Sequence, residues 1–294
     1  MNIGLARNAL SFALAAALTA TLAGCIVAPP PGDYQSAAPA AVAPPMAGDE
    51  SEEQAPEPPP PLPDYDQPPC PAEGYIWTPG LWRWGPEGYF WVPGTWVAPP
   101  QPGLLWTPGY WGLVGAVYVF HAGHWGSHVG YYGGINYGAG YNGEGYHGGR
   151  WVNNRFQYNT SVTNVNVVNV HNTYNETVVN NVTVNNTRAS YVGGAGWHPQ
   201  PSPAATAAAH EPRYAQTPAQ YQHHLEARGE PTLNAARNEG RPPVAATPHP
   251  GAFHEPGATA ARPGGPAYHP QRPLPVQRPG QKEEKPGHEG EHPR

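Results

Sequence analysis

Three histidines lie within eight residues of one another near the middle of the chain: His121, His124 and His128. Imidazoles at such spacings are common ligands of zinc and copper, and in a hairpin His121 and His124 would lie on facing strands. A third ligand within reach is not evident, because most other histidines lie in segments predicted to be disordered. The pattern therefore predicts neither a metal site nor any other cofactor.

The residue combinations that carry catalysis are missing from the segments that we expect to fold. We find no Ser-His-Asp or Cys-His combination there, no phosphate-binding glycine loop before a helix, and no inward-facing pair of carboxylates. The glycines instead separate short apolar runs. We therefore expect a protein that is not an enzyme.

A six-residue phrase, Trp-x-Pro-Gly-x-Trp, occurs three times within 35 residues. Pro-Gly suits the centre of a type II turn, which predicts a hairpin closed at each Pro-Gly pair, with the two tryptophans of one phrase facing each other. A straight strand would instead send those two tryptophans to opposite faces, because their separation is odd. Type II turns also match strand twist less well than the primed types. The copies are Trp77/Gly80/Trp82, Trp91/Gly94/Trp96 and Trp106/Gly109/Trp111.

The spacing of the phrases predicts further, degenerate copies. Successive phrases start 14 or 15 residues apart, and the same interval leads to Phe120-His-Ala-Gly-His-Trp125. Tyr146-His-Gly-Gly-Arg-Trp151 resembles the phrase more distantly. We therefore expect the repeat architecture to continue beyond the three obvious copies.

The aromatic rings of the phrases allow two interpretations. They could form the core of a small domain that lacks leucine and isoleucine, or they could lie exposed and stack on the sugar faces of envelope glycans. The core interpretation is favoured. A thin domain cannot hide ten tryptophans completely, however, so some exposed aromatic surface is expected to mark an interaction site.

The N-terminus has the pattern of an export signal. Arg7 precedes an apolar stretch, residues 9–22, that is too short for a convincing membrane span. The stretch ends in Leu22-Ala-Gly-Cys25, which resembles the lipobox of bacterial lipoproteins and predicts cleavage before Cys25 and acylation of its thiol. More than one acyl chain gives stable membrane anchoring. The membrane is thus the first expected partner.

Composition divides the rest of the chain. The 41 prolines and 36 glycines among 294 residues argue against one compact core, and the net charge of −6 leaves no basic patch for nucleic acid. We expect residues 25–72 to be an extended Pro/Ala-rich tether after a signal peptide of residues 1–24. Within this tether Cys70 has no partner once Cys25 is acylated, which suggests an intermolecular disulfide, a reactive thiol or an incidental cysteine.

The folded part is expected at residues 73–197. Residues 73–126 would form the repeat region, and residues 127–197 a Gly/Tyr-rich and Val/Asn-rich β region. Alternation of valine with asparagine and threonine over 158–187 predicts two strands with a bulge at Val167-Val168. We expect residues 198–294 to be largely disordered, except for a helix at 217–228 capped by Thr217 and a second short one from Thr232 to Gly240.

With these phrases, the chain resembles the WXXGXW (or YXWGXW) repeat family of proteobacterial envelope proteins. The likeness covers roughly residues 75–197 and implies a location and an architecture but no reaction, because the family has no established catalytic activity and some members accompany secretion or contact-dependent inhibition systems. Ile26 after Cys25, in place of aspartate, then implies the outer membrane.

Together these observations predict a mainly β fold of short-stranded aromatic β-meander repeats and Val/Asn strands, flanked by long disordered Pro/Ala-rich segments. The expected function is that of an envelope-anchored structural or interaction scaffold, with envelope proteins or further copies of the chain as partners. Edge strands and Val-Asn ladders would add to a partner's sheet. The alternative is a module that binds cell-wall or surface glycans.

Overall fold

The computed structural model describes residues 53–166, 168–177, 189–193, 198–263 and 267–270, all of which belong to one compact unit. Strands dominate it, so the predicted mainly β fold is confirmed. The strands are β1 Gln54–Ala55, β2 Ile76–Thr78, β3 Leu81–Gly85, β4 Gly88–Val92, β5 Gly94–Val97, β6 Leu105–Thr107, β7 Tyr110–Val114, β8 Val117–His121, β9 His124–Gly126, β10 Asn136–Gly138, β11 Tyr141–Asn142, β12 Gly149–Val152, β13 Arg155–Asn159, β14 Thr173–Tyr174, β15 Tyr191–Val192 and β16 Ala246–Thr247.

Two long hairpins form the centre of the fold. In the first, β2 pairs with β5 and β3 with β4, so that Trp77 faces Trp96 and Trp82 faces Trp91 in one continuous register. In the second, β6 pairs with β9 and β7 with β8 in the same way. Each hairpin therefore consists of two whole phrases, one on each arm.

The predicted hairpins closed at Pro-Gly are wrong. The first hairpin turns at Gly85–Gly88, where Gly88 has a φ of 93°. The second turns between Val114 and Val117, with Gly115 at a φ of 62°. The Pro-Gly pairs instead interrupt the arms, because proline has no N–H to donate to the ladder. As the straight-strand alternative predicted, Trp77 and Trp82 enter different core clusters.

Short strands from distant parts of the chain cover the edges of the hairpins. The predicted β-meander therefore does not continue as one sheet. β16 lies parallel to β5, β15 parallel to β7, and β1 antiparallel to β8. Covered edges cannot template pairing with another chain. Two of these covering strands come from segments that the sequence predicted to be disordered.

Residues 53–72, which we call the strap, pack against the hairpins and do not form a free tether. Ala55, Leu62 and Cys70 are buried in the two core clusters, and β1 pairs with the second hairpin. The sequence showed only that the strap has too little apolar surface to fold alone. It packs because the hairpins provide aromatic rings and hydrogen-bond donors for it.

The first of the two predicted Val/Asn strands is mostly replaced by turns, and the second lies outside the described residues. Residues 160–162 and 168–169 form turns, Val165 forms an isolated bridge with Cys70, and among the described residues of the segment only β14 pairs, in parallel, with β13. Asparagine side chains bind nearby backbone N–H groups, as Asn159 Oδ1 does with those of Ser161 and Glu176, and this competes with ladder formation. Val167, with the predicted bulge, and residues 178–188 lie outside the described residues.

The C-terminal segment contains the predicted helix. α1 spans Pro203–Ala208, α2 spans Pro218–Gly229, a 3-10 turn spans Pro231–Leu233, and α3 spans Ala235–Asn238. Thr217 caps α2 and forms a capping box with Gln220. The rest of the described tail, up to residue 263, is also packed rather than disordered, with Ala245, Ala246 and Ala252 fully buried.

Candidate functional site

The glycine of each phrase lies under a ring from the opposite arm of its hairpin. In the first hairpin, a Cβ on Gly94 would lie 2.6 Å from Cζ2 of Trp77 and 2.9 Å from the backbone nitrogen of Gly80. A Cβ on Gly80 would overlap the ring of Trp91 in the same way. The two arms therefore approach closely at the Pro-Gly pairs. The ring of the first tryptophan in each phrase fits there because the residue beneath it on the opposite arm is glycine.

The second hairpin repeats this arrangement with Phe120 in place of a tryptophan. A Cβ on Gly109 would lie 2.6 Å from Cζ of Phe120, and one on Gly123 would lie 2.5 Å from Cζ2 of Trp106. Phe120-Trp125 is therefore a fourth phrase, as the spacing predicted.

Cross-strand ring pairs join the two arms. The first aromatic residue of one phrase faces the second aromatic residue of the other, with ring centroids 5.0 to 5.3 Å apart and interplanar angles of 54 to 66°. Such edge-to-face or tilted pairs contribute roughly 0.5–1.5 kcal/mol beyond the buried area. The pairs are Trp77 with Trp96, Trp82 with Trp91, Trp106 with Trp125, and Trp111 with Phe120.

The structure places every predicted repeat residue in the interior. All seven tryptophans of the four phrases have at most 6% of their surface exposed: Trp77, Trp82, Trp91, Trp96, Trp106, Trp111 and Trp125. Gly80, Gly94 and Gly109 lie between these rings. Trp84 and Trp151 are only half-buried. The phrases therefore form the two cores, and their rings do not form an exposed platform.

Indole N–H groups of the phrases bind the flanking segments. Trp82 and Trp96 donate to carbonyl oxygens of the strap, and Trp91 donates to a carbonyl oxygen of the C-terminal segment. The acceptors are Pro61 at 3.3 Å, Pro68 at 2.8 Å and Ala245 at 2.9 Å. The N–H of a buried tryptophan usually finds such a partner. The hairpins thereby hold two Pro/Ala-rich segments that could not fold alone.

An ion pair fixes the beginning of the strap. Arg83 donates two hydrogen bonds to Glu53, with N···O distances of 2.9 and 2.7 Å, and its guanidinium lies 4.3 Å from the centre of the Phe120 ring. The Trp84 N–H also donates to Glu53. Two-point arginine–carboxylate bonds are among the stronger polar contacts in proteins. The strap is thus bound to the first hairpin where it begins.

A third hairpin, β12–β13, contains half of the same arrangement. Trp151 faces Phe156 with ring centroids 5.3 Å apart, and a Cβ on Gly149 would lie 2.5 Å from the Phe156 ring. Gly149 and Trp151 therefore occupy the positions of Gly109 and Trp111. This agrees with the degenerate copy predicted at Tyr146.

The three histidines considered as metal ligands have separate environments. His121 stacks on Tyr110, with ring centroids 4.5 Å apart, and exposed His128 pairs with Glu211. Burial, with the nearby charge of Arg213, lowers the pKa of His124 to about 4. Among the described residues, no three His, Cys, Asp or Glu side chains are close enough to hold a metal ion.

The structure describes only one of the two cysteines. Cys25, the predicted lipidation site, lies outside the described residues. Cys70 is buried, and its thiol donates to the carbonyl oxygen of Ala72 at 3.1 Å. Burial raises its pKa to about 11. A buried neutral thiol is a poor nucleophile, so neither an intermolecular disulfide nor a reactive role fits Cys70.

Sequence reasoning missed the residues that bind the phrases to their flanks. Tyr65 of the strap accepts the Gly80 N–H and contacts the Trp91 ring, and burial raises its pKa to about 12. A lone tyrosine among prolines was one available signal, because aromatic residues are rare in sequences that stay disordered.

These features define a repeat protein whose unit is a hairpin of two phrases. A family model described as the WXXGXW repeat matches the chain twice, over residues 74–97 and 102–125. Each match covers one of the two long hairpins, so the chain carries two WXXGXW repeats. No curated protein and no solved structure matches the chain significantly. In the described parts of the chain, no helix has the length and apolar character needed to cross a bilayer.

Proposed function

We propose that the protein is a non-enzymatic scaffold of the cell envelope, held at the outer membrane by acyl chains on Cys25. The observation that carries the scaffold role is the burial of all seven phrase tryptophans. Their rings form the cores, and three of their indole N–H groups hold the flanking segments. The repeats thus build a rigid body from a chain that is rich in proline and glycine.

The proposed anchor rests on the sequence Leu22-Ala-Gly-Cys25. Cys25 is followed by a Pro/Ala-rich segment that the sequence predicts to be an extended tether, and its 27 residues before Glu53 would hold the folded unit away from the lipid surface. At about 3.1 Å per residue in polyproline geometry, the spacer could reach roughly 80 Å. A scaffold with this reach could contact partners well beyond the membrane surface.

The anchor can be tested by expressing the full chain with its own leader in a Gram-negative host. We expect the mature protein to begin at Cys25, to carry acyl chains by intact mass, and to partition into the detergent phase of a Triton X-114 extraction. Cys25→Ser should move it to the aqueous phase. The matched control Cys70→Ser should leave partitioning unchanged. A mature chain without acyl mass would refute the anchor.

The scaffold role can be tested by crosslinking in intact envelopes, which should capture protein partners or further copies of the chain. The glycan-binding alternative would use exposed Trp or Tyr rings, of which the half-buried Trp84 and Trp151 can be replaced, whereas replacing core residues such as Trp82 or Trp96 would damage the fold. Retention on immobilised cell-wall fragments that is lost in Trp84→Leu or Trp151→Leu, with the fold intact, would favour glycan binding and contradict the scaffold proposal.

A further inference from the structure

The strap lies along the first hairpin in the way that extended proline-rich ligands lie on their receptors. Such ligands present backbone carbonyl oxygens to aromatic side chains that donate hydrogen bonds. Here three aromatic donors of one hairpin bind three carbonyl oxygens spread over the strap. The pairs are Tyr89 Oη with Glu57 at 2.8 Å, Trp82 Nε1 with Pro61 at 3.3 Å, and Trp96 Nε1 with Pro68 at 2.8 Å.

The beginning of the strap also completes a sheet. Gln54 faces Val119 and Ala55 faces Tyr118, so β1 covers the edge of β8, and the Phe120 N–H donates to the carbonyl oxygen of Glu53 at 2.8 Å. Without the strap, β8 would present an open edge of the kind that accepts an added strand. The strap therefore occupies a surface made mainly of the first hairpin and the β8 edge, and its later part is also bound by Asn164 and by Arg262 of the C-terminal segment.

The loop that joins the strap to the first hairpin has the properties of a hinge. Residues 71–75 separate Cys70 from β2, and Ala72 and Glu73 are exposed, with the Glu73 carboxylate accepting hydrogen bonds from the His171 N–H and the Asn172 side chain. Gly74 has a φ of 86°, and no atom lies within 4 Å of where its Cβ would be. An element bound through many specific contacts and joined by a short loop can be exchanged between copies of a chain.

We propose that two copies of this chain exchange their straps, so that the strap of one occupies the hairpin surface of the other. This proposal deepens the proposed scaffold function by naming its partner as a second copy. The fit of Gln54 to Val119 and of Pro61 and Pro68 to the indoles is specific to this strap, and another copy supplies it unchanged. Prolines keep the strap extended before binding, which lowers the entropy cost of capture.

The exchange can be tested with two single-cysteine variants of the mature chain, residues 25–294 with Cys25→Ser and Cys70→Ser in both. One chain carries Gln54→Cys and the other Val119→Cys; these positions face each other across β1 and β8, where Cα distances suit a disulfide. The chains are mixed under reducing conditions at rising concentration and then oxidised. A disulfide between the two different chains forms efficiently only if the strap of one lies on β8 of the other.

A matched mixture replaces Val119→Cys by Val114→Cys, because Val114 is more than half exposed but does not face the strap. We expect the 54–119 heterodimer to exceed the 54–114 heterodimer by at least about tenfold, and to increase with concentration. Equal yields of the two heterodimers would overturn the proposal. Because neither chain carries the lipid anchor, a failure here is distinguishable from a failure of the proposed anchoring, which Triton X-114 partitioning tests separately.

A hinge variant gives a second, independent readout. Gly74→Val places a branched side chain at a left-handed φ, a strain that an extended hinge would relieve in the exchanged dimer. It should raise the dimer fraction in light scattering by about tenfold. The control is Gly103→Val, where φ is 94° and the space is equally open, but in the loop between the two long hairpins. A similar rise in both variants would contradict a hinge at Gly74.

Discussion

The ring of Trp77, in the first phrase, lies on Gly94 of the second phrase, and the ring of Trp91, in the second phrase, lies on Gly80 of the first. The two arms of the first hairpin are thus locked by a reciprocal exchange of rings and glycines. This relationship explains why glycine occupies the fourth position of the phrase. Any side chain there would have to displace both a buried indole and the opposite backbone.

Replacing Gly94 with alanine should destabilise the protein by about 2–3 kcal/mol, the upper part of the usual range for overpacking a tight core. The added Cβ would meet the Trp77 ring at 2.6 Å and the backbone nitrogen of Gly80 at 2.9 Å. Urea unfolding followed by tryptophan fluorescence measures the change. Gly229→Ala is the control, since that glycine ends α2 with nothing within 4 Å of the new Cβ. Equal, small losses in both variants would refute the steric role of Gly94.

Trp96→Phe should cost more stability than Trp77→Phe, although the two rings face each other and are both fully buried. Trp96 donates its indole N–H to Pro68 at 2.8 Å, whereas the Trp77 indole N–H has no hydrogen-bond partner within the described part of the chain. Leaving the Pro68 carbonyl oxygen unsatisfied should add about 1–3 kcal/mol. Equilibrium unfolding of both variants tests this, and an equal cost would show that the bond to the strap contributes nothing.

Stability should fall as the pH drops below 6.5, because α2 buries two neutral histidines. Burial, partly offset by the carbonyl oxygen of Pro93, lowers the pKa of His223 from 6.5 to about 4. Burial and the charges of Arg83 and Arg228 lower the pKa of His224 to about 3. His223 also accepts the Gly251 N–H and stacks on Phe253, and His224 contacts the Phe90 ring.

The direction in which stability changes with pH follows from proton binding to these two histidines. Above pH 6.5 both imidazoles are neutral in the folded and unfolded chain, so the full stability is present. Below pH 6.5 the unfolded chain binds protons that the folded chain does not, and each histidine lowers stability by up to about 1.4 kcal/mol per pH unit until its folded pKa is reached. Urea midpoints between pH 4.5 and 8 measure this. His224→Leu should flatten the curve and exposed His171→Ala should not; an unchanged slope in His224→Leu would contradict the argument.

Cys70 should resist thiol reagents in the folded protein. Its side chain is buried and its pKa is raised to about 11, so almost no thiolate forms near neutral pH. Reaction with a chromogenic disulfide should be slow in buffer and complete in urea. An introduced exposed thiol, Val114→Cys, serves as the reactive control. Rapid labelling of native Cys70 would mean that the strap detaches often from the hairpins.

Local sequence signals predicted those helices and strands whose formation is determined by residues close to one another in the sequence. Thr217 and Pro218 placed the beginning of α2, and the spacing of the phrases predicted short strands and the fourth copy at Phe120. The pairing of the strands was not predictable in this way, because Pro79-Gly80 and Gly85-Pro86-Glu87-Gly88 both have the composition of a turn. The choice between them depends on contacts such as that of Trp77 with Gly94, which are far apart in the sequence.

The packing of the flanking segments could not be predicted for a different reason. The strap and the segment around Ala245 have too little apolar surface to predict burial, and they bind mainly through backbone carbonyl oxygens. Backbone acceptors are present in every sequence and leave no mark in composition. Only the donors, Trp82, Trp91 and Trp96, were visible, and their partners could not be inferred from residue type.

The reciprocal packing of rings and glycines also limits how this kind of chain can grow. A lone phrase can cover its glycine only with a ring from outside the phrases, as Phe156 does for Gly149, and its first aromatic residue then lacks a phrase glycine to cover. The smallest unit in which every phrase ring and glycine is matched is therefore a pair of complete phrases. The family model divides the sequence in that way, with one match for each pair.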